Sequence, residues 1–335
     1  SGHPPMPAEP ARPIIAESAS AAAEERLLLR LCRITWEAPG VLSLDFVDPN
    51  GGELPPFGPG AHVDLHLPDG LVRQYSLCGD PADRRSYRVG VREVENGRVS
   101  RVIHHELRPG TLIPVSVPRN NFPLVPSSHY LFVAGGIGIT PLLPMMREAT
   151  RRGAEWSLLF CTRRTTEAAF LDEARVLGGT VFLYASEAGT RLDVKARLAE
   201  PVLETILYCC GPERLMTAVE EATKAWPEGS VRFEWFAPRS RPEAAGPASF
   251  EVYLARAGMT LTVPPDKTIL EVLTAAGFDQ PRSCEQGICG TCECRVLEGE
   301  VDHRDSILSA GERATNEVMM VCVSRARGGR LVLDL

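Results

Sequence analysis

The chain has 335 residues, more than one hydrophobic core ordinarily holds, so two or three domains are expected. A net charge of −7 offers no basic footprint for nucleic acid, although it leaves room for a local acidic docking face. Ten cysteines with no signal peptide and no long apolar run argue against a disulfide scaffold or a membrane span, and the expectation is a cytoplasmic redox protein.

Residues 1–25, rich in Pro, Ala and Glu, read as a mobile tail. Over residues 26–125 apolar and polar positions alternate in short runs broken by Pro and Gly, as in Leu42-Ser43-Leu44-Asp45-Phe46-Val47. That pattern predicts a small antiparallel β-barrel. Within it Arg73-Gln74-Tyr75-Ser76 ends a strand. An arginine so placed offers a fork of donors to a phosphate and Ser76 offers a hydroxyl, but the tetrapeptide alone equally suits an ordinary strand. Downstream, Gly97-Arg98-Val99-Ser100 opens a helix, where glycine permits close approach and free N–H groups face an anion. His104 and His105 on that helix are expected to pack or to be solvated.

Over residues 126–236 buried apolar strands alternate with helices: Tyr130 to Ala134, Trp156 to Phe160, Thr180 to Tyr184 and Thr205 to Cys209. The repetition predicts a doubly wound parallel sheet with ligands at its carboxyl edge. After the first of these strands, Gly135-Gly136-Ile137-Gly138-Ile139-Thr140-Pro141 combines glycines, Thr and a Pro at a helix start, the makings of an anion-binding turn. Other strands end in Cys161-Thr162-Arg163-Arg164 and in Cys209-Cys210-Gly211-Pro212, and Phe233-Glu234-Trp235-Phe236 closes the domain. Cys209 reads as a small buried residue. Residues 237–248 have linker composition, which leaves 249–335 as a third domain.

That last domain carries Cys284-x4-Cys289-x2-Cys292 and, twenty-nine residues later, Cys322. The spacing is that of a plant-type 2Fe–2S ferredoxin, in which four thiolates supply two sulfurs to each iron. Gly287 and Gly290 let the backbone curl around the inorganic core. A structural zinc site would show paired C-x2-C motifs or a Cys/His mixture. Cys294 reads as a buried strand residue.

Three motifs in one order, R-x-Y-S, GGxGxTP and the ferredoxin cysteines, resemble the phthalate dioxygenase reductase family, which includes the reductases of vanillate demethylases. The likeness runs from Arg26 to Leu335. It implies a multidomain α/β plus β fold: an antiparallel flavin-binding β-barrel, a doubly wound nicotinamide-binding domain and a C-terminal β-grasp ferredoxin domain. By the same likeness Arg73, Gln74, Tyr75, Ser76, Gly97, Val99 and Ser100 bind a flavin, FMN rather than FAD. Gly135, Gly136, Gly138, Thr140 and Pro141 would hold the nicotinamide nucleotide, NADH rather than NADPH, with Thr162 and Arg163 near its adenosine half. Cys210, Gly211 and Pro212 would sit beside the nicotinamide ring, with Ser76 at the flavin N5 edge, and Phe236 would stack on the flavin while Phe233 and Trp235 pack.

A nicotinamide gives up two electrons as hydride and a 2Fe–2S cluster accepts one, so a flavin stands between them. The expected acceptor is a Rieske-type oxygenase on another polypeptide, because the sequence shows no His/His/carboxylate set and no Rieske C-x-H pair. The rivals are a reductase for a haem-thiolate monooxygenase and an electron carrier or redox sensor without NADH turnover. Gln286-Gly287-Ile288 is the expected accessible rim of the cluster, and the protein is expected to be a monomer.

Overall fold

The structure, a computed structural model, describes residues 26–239 and 248–335; the expected tail and most of the expected linker lie outside the described residues. The first sheet contains β1 (Arg26–Ala38), β2 (Val41–Val47), β3 (His62–His66), β4 (Val72–Ser76), β5 (Ser86–Arg92) and, after helix α1 (Arg98–His105), β6 (Leu112–Ser116). Their order is β4-β3-β6-β1-β2-β5, and a bridge between Leu77 and Val89 joins the two edges into a barrel. Closure removes both edges from solvent. Alternation gives it one filled interior, with Leu29, Leu31, Leu44, Phe46, Val63, Leu65 and Val89 buried together.

The second sheet runs β11-β10-β7-β8-β9, parallel throughout, from β7 (His129–Gly135), β8 (Glu155–Thr162), β9 (Thr180–Ala185), β10 (Thr205–Cys210) and β11 (Val231–Glu234). Between these strands lie α2 (Leu142–Arg151), α3 (Leu171–Val176), α4 (Val194–Leu198) and α5 (Glu213–Ala222). Chain order reverses between β7 and β10, so Gly135 and Cys210 both end at the crevice where such sheets take ligands. Alternate residues of β7 feed two cores: Tyr130, Phe132 and Ala134 on one face, Leu131 and Val133 on the other. The first of these cores also includes Ala38, Val41, Cys78, Phe122 and Leu124 from the barrel side, so the two units share a core.

The third sheet, β13-β12-β18-β14-β16, is mixed and carries helix α6 (Ile269–Ala275). Its strands are β12 (Phe250–Leu254), β13 (Met259–Val263), β14 (Glu293–Glu298), β16 (Val318–Met320) and β18 (Arg330–Leu333). A small ribbon of β15 (Val301–Asp302) and β17 (Arg325–Ala326) and helix α7 (Ala310–Thr315) complete this β-grasp unit. Thr268 and Glu271 start α6 with a reciprocal capping box. The unit has its own core, which takes in Cys292, Cys294 and Cys322. Among the described residues no helix is long and apolar enough to cross a membrane.

Candidate functional site

Two cavities meet where the barrel faces the parallel sheet. The first, of 610 Å³, is walled by the end of β4, by the turn into α1 and by the segment after β11. It brings together Arg73, Gln74, Tyr75, Ser76, Gly97, Val99, Ser100, Thr140 and Phe236, although they lie far apart in sequence. Arg98 joins Arg73 on this wall, so two guanidinium groups and a helix start serve one pocket. Gln74 Oε1 is buried there without a hydrogen-bond partner, which suits a donor on a bound ring. The Ser100 hydroxyl is partly used within its own turn, donating to the Gly97 carbonyl at 3.2 Å and accepting from the Val94 N–H at 3.1 Å.

The second cavity, of 830 Å³, lies along the carboxyl edge of the parallel sheet and is walled by Gly135, Gly136, Thr162, Arg163 and Pro212. Arg92 and Ile137 line both cavities and mark their junction. Gly136 has φ +53, open to glycine at no cost, and a Cβ there would sit 3.5 Å from Arg92 Nη1. Gly138 and Gly211 line neither cavity. Their glycines are required by packing: a Cβ on Gly138 would lie 2.2 Å from the Cys210 carbonyl oxygen, and one on Gly211 would lie 2.9 Å from Gly135 Cα. Pro141 likewise contributes by preceding α2 rather than by lining a cavity. At the far end Glu187 binds both arginines of the β8 turn, Arg163 at 2.6 Å and Arg164 at 3.8 Å, and Glu167 takes Arg164 at 2.8 Å.

At the inner end of the flavin-sized cavity, Ser76 donates a hydrogen bond to Glu234 Oε2 at 3.2 Å. Burial pushes the Glu234 carboxyl up to about 8, with the serine bond opposing. Glu234 pairs in register with Cys210, whose fully buried thiol is raised by burial and by that carboxyl. Cys210 is therefore a thiol at neutral pH and lines neither cavity. Trp235, expected only to pack, lines the first cavity beside Phe236. The two differ in exposure, 9% against 39%, and Arg239 lies over the Trp235 ring at 4.3 Å.

The four cluster cysteines fold into two pairs. The Cys284 N–H donates to Cys289 Sγ at 3.5 Å, and the proximity of the thiols within each pair pulls Cys289 and Cys292 down and raises their partners Cys284 and Cys322. Three sulfurs on one loop and a fourth brought back at Cys322 are the donor set of a two-iron cluster, and among the described residues no group of three or more His, Cys, Asp or Glu side chains is placed to hold a single ion. The Gln286 N–H donates to Cys284 Sγ at 3.3 Å. Gly287 and Gly290 have φ +71 and +74, and a Cβ on Gly290 would press within 3.0 Å of Asn121. Cys294 is buried in β14. The expected outer rim is corrected: Gly287 is buried and Ile288 lines the flavin-sized cavity, leaving only Gln286 of the three exposed. That loop turns inward because the third unit packs it against the barrel.

Arg92, Arg98 and Glu234 are residues that sequence reasoning left without a role, and Ile288 was given the wrong one. Arg92 is the exposed last residue of β5, which marks its place in the strand but not the pocket it meets. Glu234 stood within a recognised tetrapeptide, and only the pairing of β11 with β10 puts it against Cys210.

The chain is similar to known proteins over most of its length. Residues 252–327, which contain all four cluster cysteines, match the 2Fe-2S iron-sulfur cluster binding domain family. A tert-butanol monooxygenase / tert-amyl alcohol desaturase reductase subunit from Aquincola tertiaricarbonis is 41% identical over 92% of this chain and 96% of its own. The solved phthalate dioxygenase reductase is 36% identical over 92% of this chain and 98% of its own, with a TM-score of 0.67. The chain belongs to the phthalate dioxygenase reductase family. It is an NAD(P)H-dependent oxidoreductase with a C-terminal 2Fe–2S domain. An intact type IV self-sufficient cytochrome P450 monooxygenase matches at 38% identity and a TM-score of 0.86, covering 96% of this chain, which spans 43% of that one.

Proposed function

We propose that this protein is the reductase component of an oxygenase system, taking electrons from NADH through FMN and the 2Fe–2S cluster to a Rieske-type oxygenase on a separate polypeptide. The observation that carries this reading is Ile288: the cluster loop forms part of the wall of the same cavity that holds Arg73, Tyr75 and Ser76. Domain limits of 26–125, 126–236 and 249–335 accompany it.

A flavin bound there supplies the conversion of a hydride pair into single electrons, which neither nicotinamide nor cluster performs. The chain's task is placement. Arg73, Arg98 and the start of α1 suit a terminal phosphate, which favours FMN. Gln74, Tyr75, Val99 and Thr140 wall the space for its rings, Ser76 stands at the reacting edge, and Phe236 is the covering ring. Gly135, Gly136 and Arg92 receive the nucleotide's pyrophosphate side, Gly138 lets that turn pack on the Cys210 carbonyl, and Cys210, Gly211 and Pro212 shape the nicotinamide end without nucleophilic chemistry. Glu187 occupies the Arg163 and Arg164 guanidinium groups and brings negative charge where a 2′-phosphate would lie, which supports NADH over NADPH. Cys284, Cys289, Cys292 and Cys322 would hold the two irons of the cluster, which supplies the one-electron step.

The test is anaerobic: NADH should bleach the flavin absorbance, then the cluster absorbance, and a Rieske oxygenase component added last should be reduced. Failure of NADH to bleach the flavin would leave only a carrier or sensor. A second reading, supply to a haem-thiolate monooxygenase, is favoured by the fold match to the P450 chain and predicts reduction of a ferric haem partner instead.

A further inference from the structure

Asp64 on β3 is fully buried, and its carboxylate answers to two domains at once. Oδ2 accepts from Arg119 Nη2 at 2.6 Å within the barrel unit and from the Ser283 hydroxyl at 2.5 Å, across to the residue before the first cluster cysteine. A second crossing bond runs from Asn121 Nδ2 to the Cys289 carbonyl at 2.7 Å. The two contact points, 283 and 289, bracket Ile288, the residue that reaches the flavin-sized cavity. In the β3–β4 register Asp64 stands opposite Gln74 and His62 opposite Ser76, so one face of this strand pair borders both the cavity wall and the cluster loop.

We propose that Asp64, Arg119, Asn121 and Ser283 form a reversible latch that positions the cluster loop for electron transfer from the flavin, an inference that rests on the function proposed above. The fixed half is the Asp64–Arg119 pair, whose charges remain matched when the loop departs. The moving half is a neutral hydroxyl and a backbone carbonyl, so release strands no charge in the barrel. The interior of the barrel and the core of the third unit have no residue in common, and polar contacts of this kind are those that domains make and break. These four are positioning residues: hydride transfer to the flavin does not involve them, whereas cluster reduction does.

The double variant Ser283→Ala/Asn121→Ala removes two crossing bonds, one to a charged group, and should lower the docking constant roughly ten- to hundredfold. Two readouts on the full chain decide it. Hydrogen exchange should quicken for amides in 283–292 and 60–66. In anaerobic stopped flow, flavin reduction by NADH should keep its rate while cluster reduction slows at least about tenfold, and Ser283→Thr, which keeps the hydroxyl, should behave as the unaltered protein. Cluster reduction at the original rate with unchanged exchange overturns the latch. If the double variant does not retain its cluster, Asn121→Ala alone, altered only on the barrel side, carries the same comparison. If NADH does not reduce the flavin of the unaltered protein, the function proposed above fails, and the exchange measurement still decides the latch because it needs no turnover.

Discussion

The barrel meets its two neighbours in opposite ways. Against the nicotinamide-type sheet it shares an apolar core, and Arg88 ties Glu37 of the barrel, at 2.7 Å, to Glu173 of α3, at 2.8 Å, while Arg147 also binds Glu173 at 2.6 Å. Arg151 adds Asp80 at 2.8 Å, and Gly90 on β5 packs so tightly on Thr140 that a Cβ would lie 2.7 Å from its methyl. Against the ferredoxin unit the barrel offers the polar contacts of Asp64 and Asn121. Hydride transfer demands two rings in near contact, so its interface is fused. One-electron transfer makes no bond between reactants, and its interface is free to be lighter and separable.

The largest effect should come from Cys289→Ser, since a hydroxyl is a poor ligand for a soft thiolate site. The cluster absorbance should vanish, while NADH still bleaches the flavin and the melting of the barrel with the parallel sheet stays unchanged. Loss of flavin reduction in this variant would break the comparison, because it would show the two interfaces to be one cooperative unit.

Arg88→Ala attacks the other interface. It leaves Glu37 with the Ser43 hydroxyl alone while Glu173 keeps Arg147, and losing the charge-assisted bonds that join the two costs about 3 kcal/mol. Denaturant unfolding should shift by that amount and flavin reduction should slow with it. The Ser283→Ala change at the lighter interface, which leaves Asp64 with Arg119, should shift unfolding less, by about 0.5–1.5 kcal/mol.

Much of this division was legible in the sequence. The barrel, the doubly wound sheet and the ferredoxin unit each announce themselves by period and by turn chemistry, and the cysteine spacing names its cluster because three ligands sit on one short loop. The contents of the cavity walls were legible wherever a motif lay on a strand end, as with Arg73 to Ser76. Pairings that depend on how domains meet were not. Nothing in the sequence near Ile288 tells that it faces inward, and Asp64 looks like any polar residue of an alternating strand until Arg119 and Ser283 close around it.

Arg73→Ala should weaken flavin retention by about 1.5–3 kcal/mol, one to two decades in affinity, through loss of a charge-assisted phosphate contact. Among the described residues its guanidinium otherwise bonds only the neighbouring Val72 carbonyl at 3.0 Å, so the fold should not suffer. Full flavin occupancy after long dialysis would remove Arg73 from the site.

Glu234 sets the pH dependence of the fused interface. Its carboxyl is raised to about 8 in the folded protein against 4.5 for an exposed glutamate, so the folded state keeps a proton that the unfolded chain has lost between those values. Stability should therefore decline as pH rises from 4.5 towards 8, by at most about 1.4 kcal/mol per unit, and level off above. Glu234→Gln should flatten that slope and remove any transition near 8 in the rate of flavin reduction. A slope unchanged by the substitution would assign the proton elsewhere.

The smallest effect sharpens the comparison at the ring itself. Phe236 is 39% exposed on the wall of the flavin-sized cavity, whereas Trp235 beside it is buried and covered by Arg239, so under the function proposed above Phe236 is the ring expected to swing aside for the nicotinamide. Stacking of this kind is worth about 0.5–1.5 kcal/mol, and Phe236→Ala removes it as a competitor. Nicotinamide binding should then tighten by roughly two- to tenfold. Discrimination between NADH and NADPH should weaken, because part of the bound energy no longer depends on the adenosine end, where Glu187 still holds Arg163. Titration of both nucleotides against the oxidised protein reads this directly. Unchanged affinity for both, with an unchanged charge-transfer band, would pass the stacking role to Trp235 and place the movable element of the hydride interface in a residue pinned by a cation.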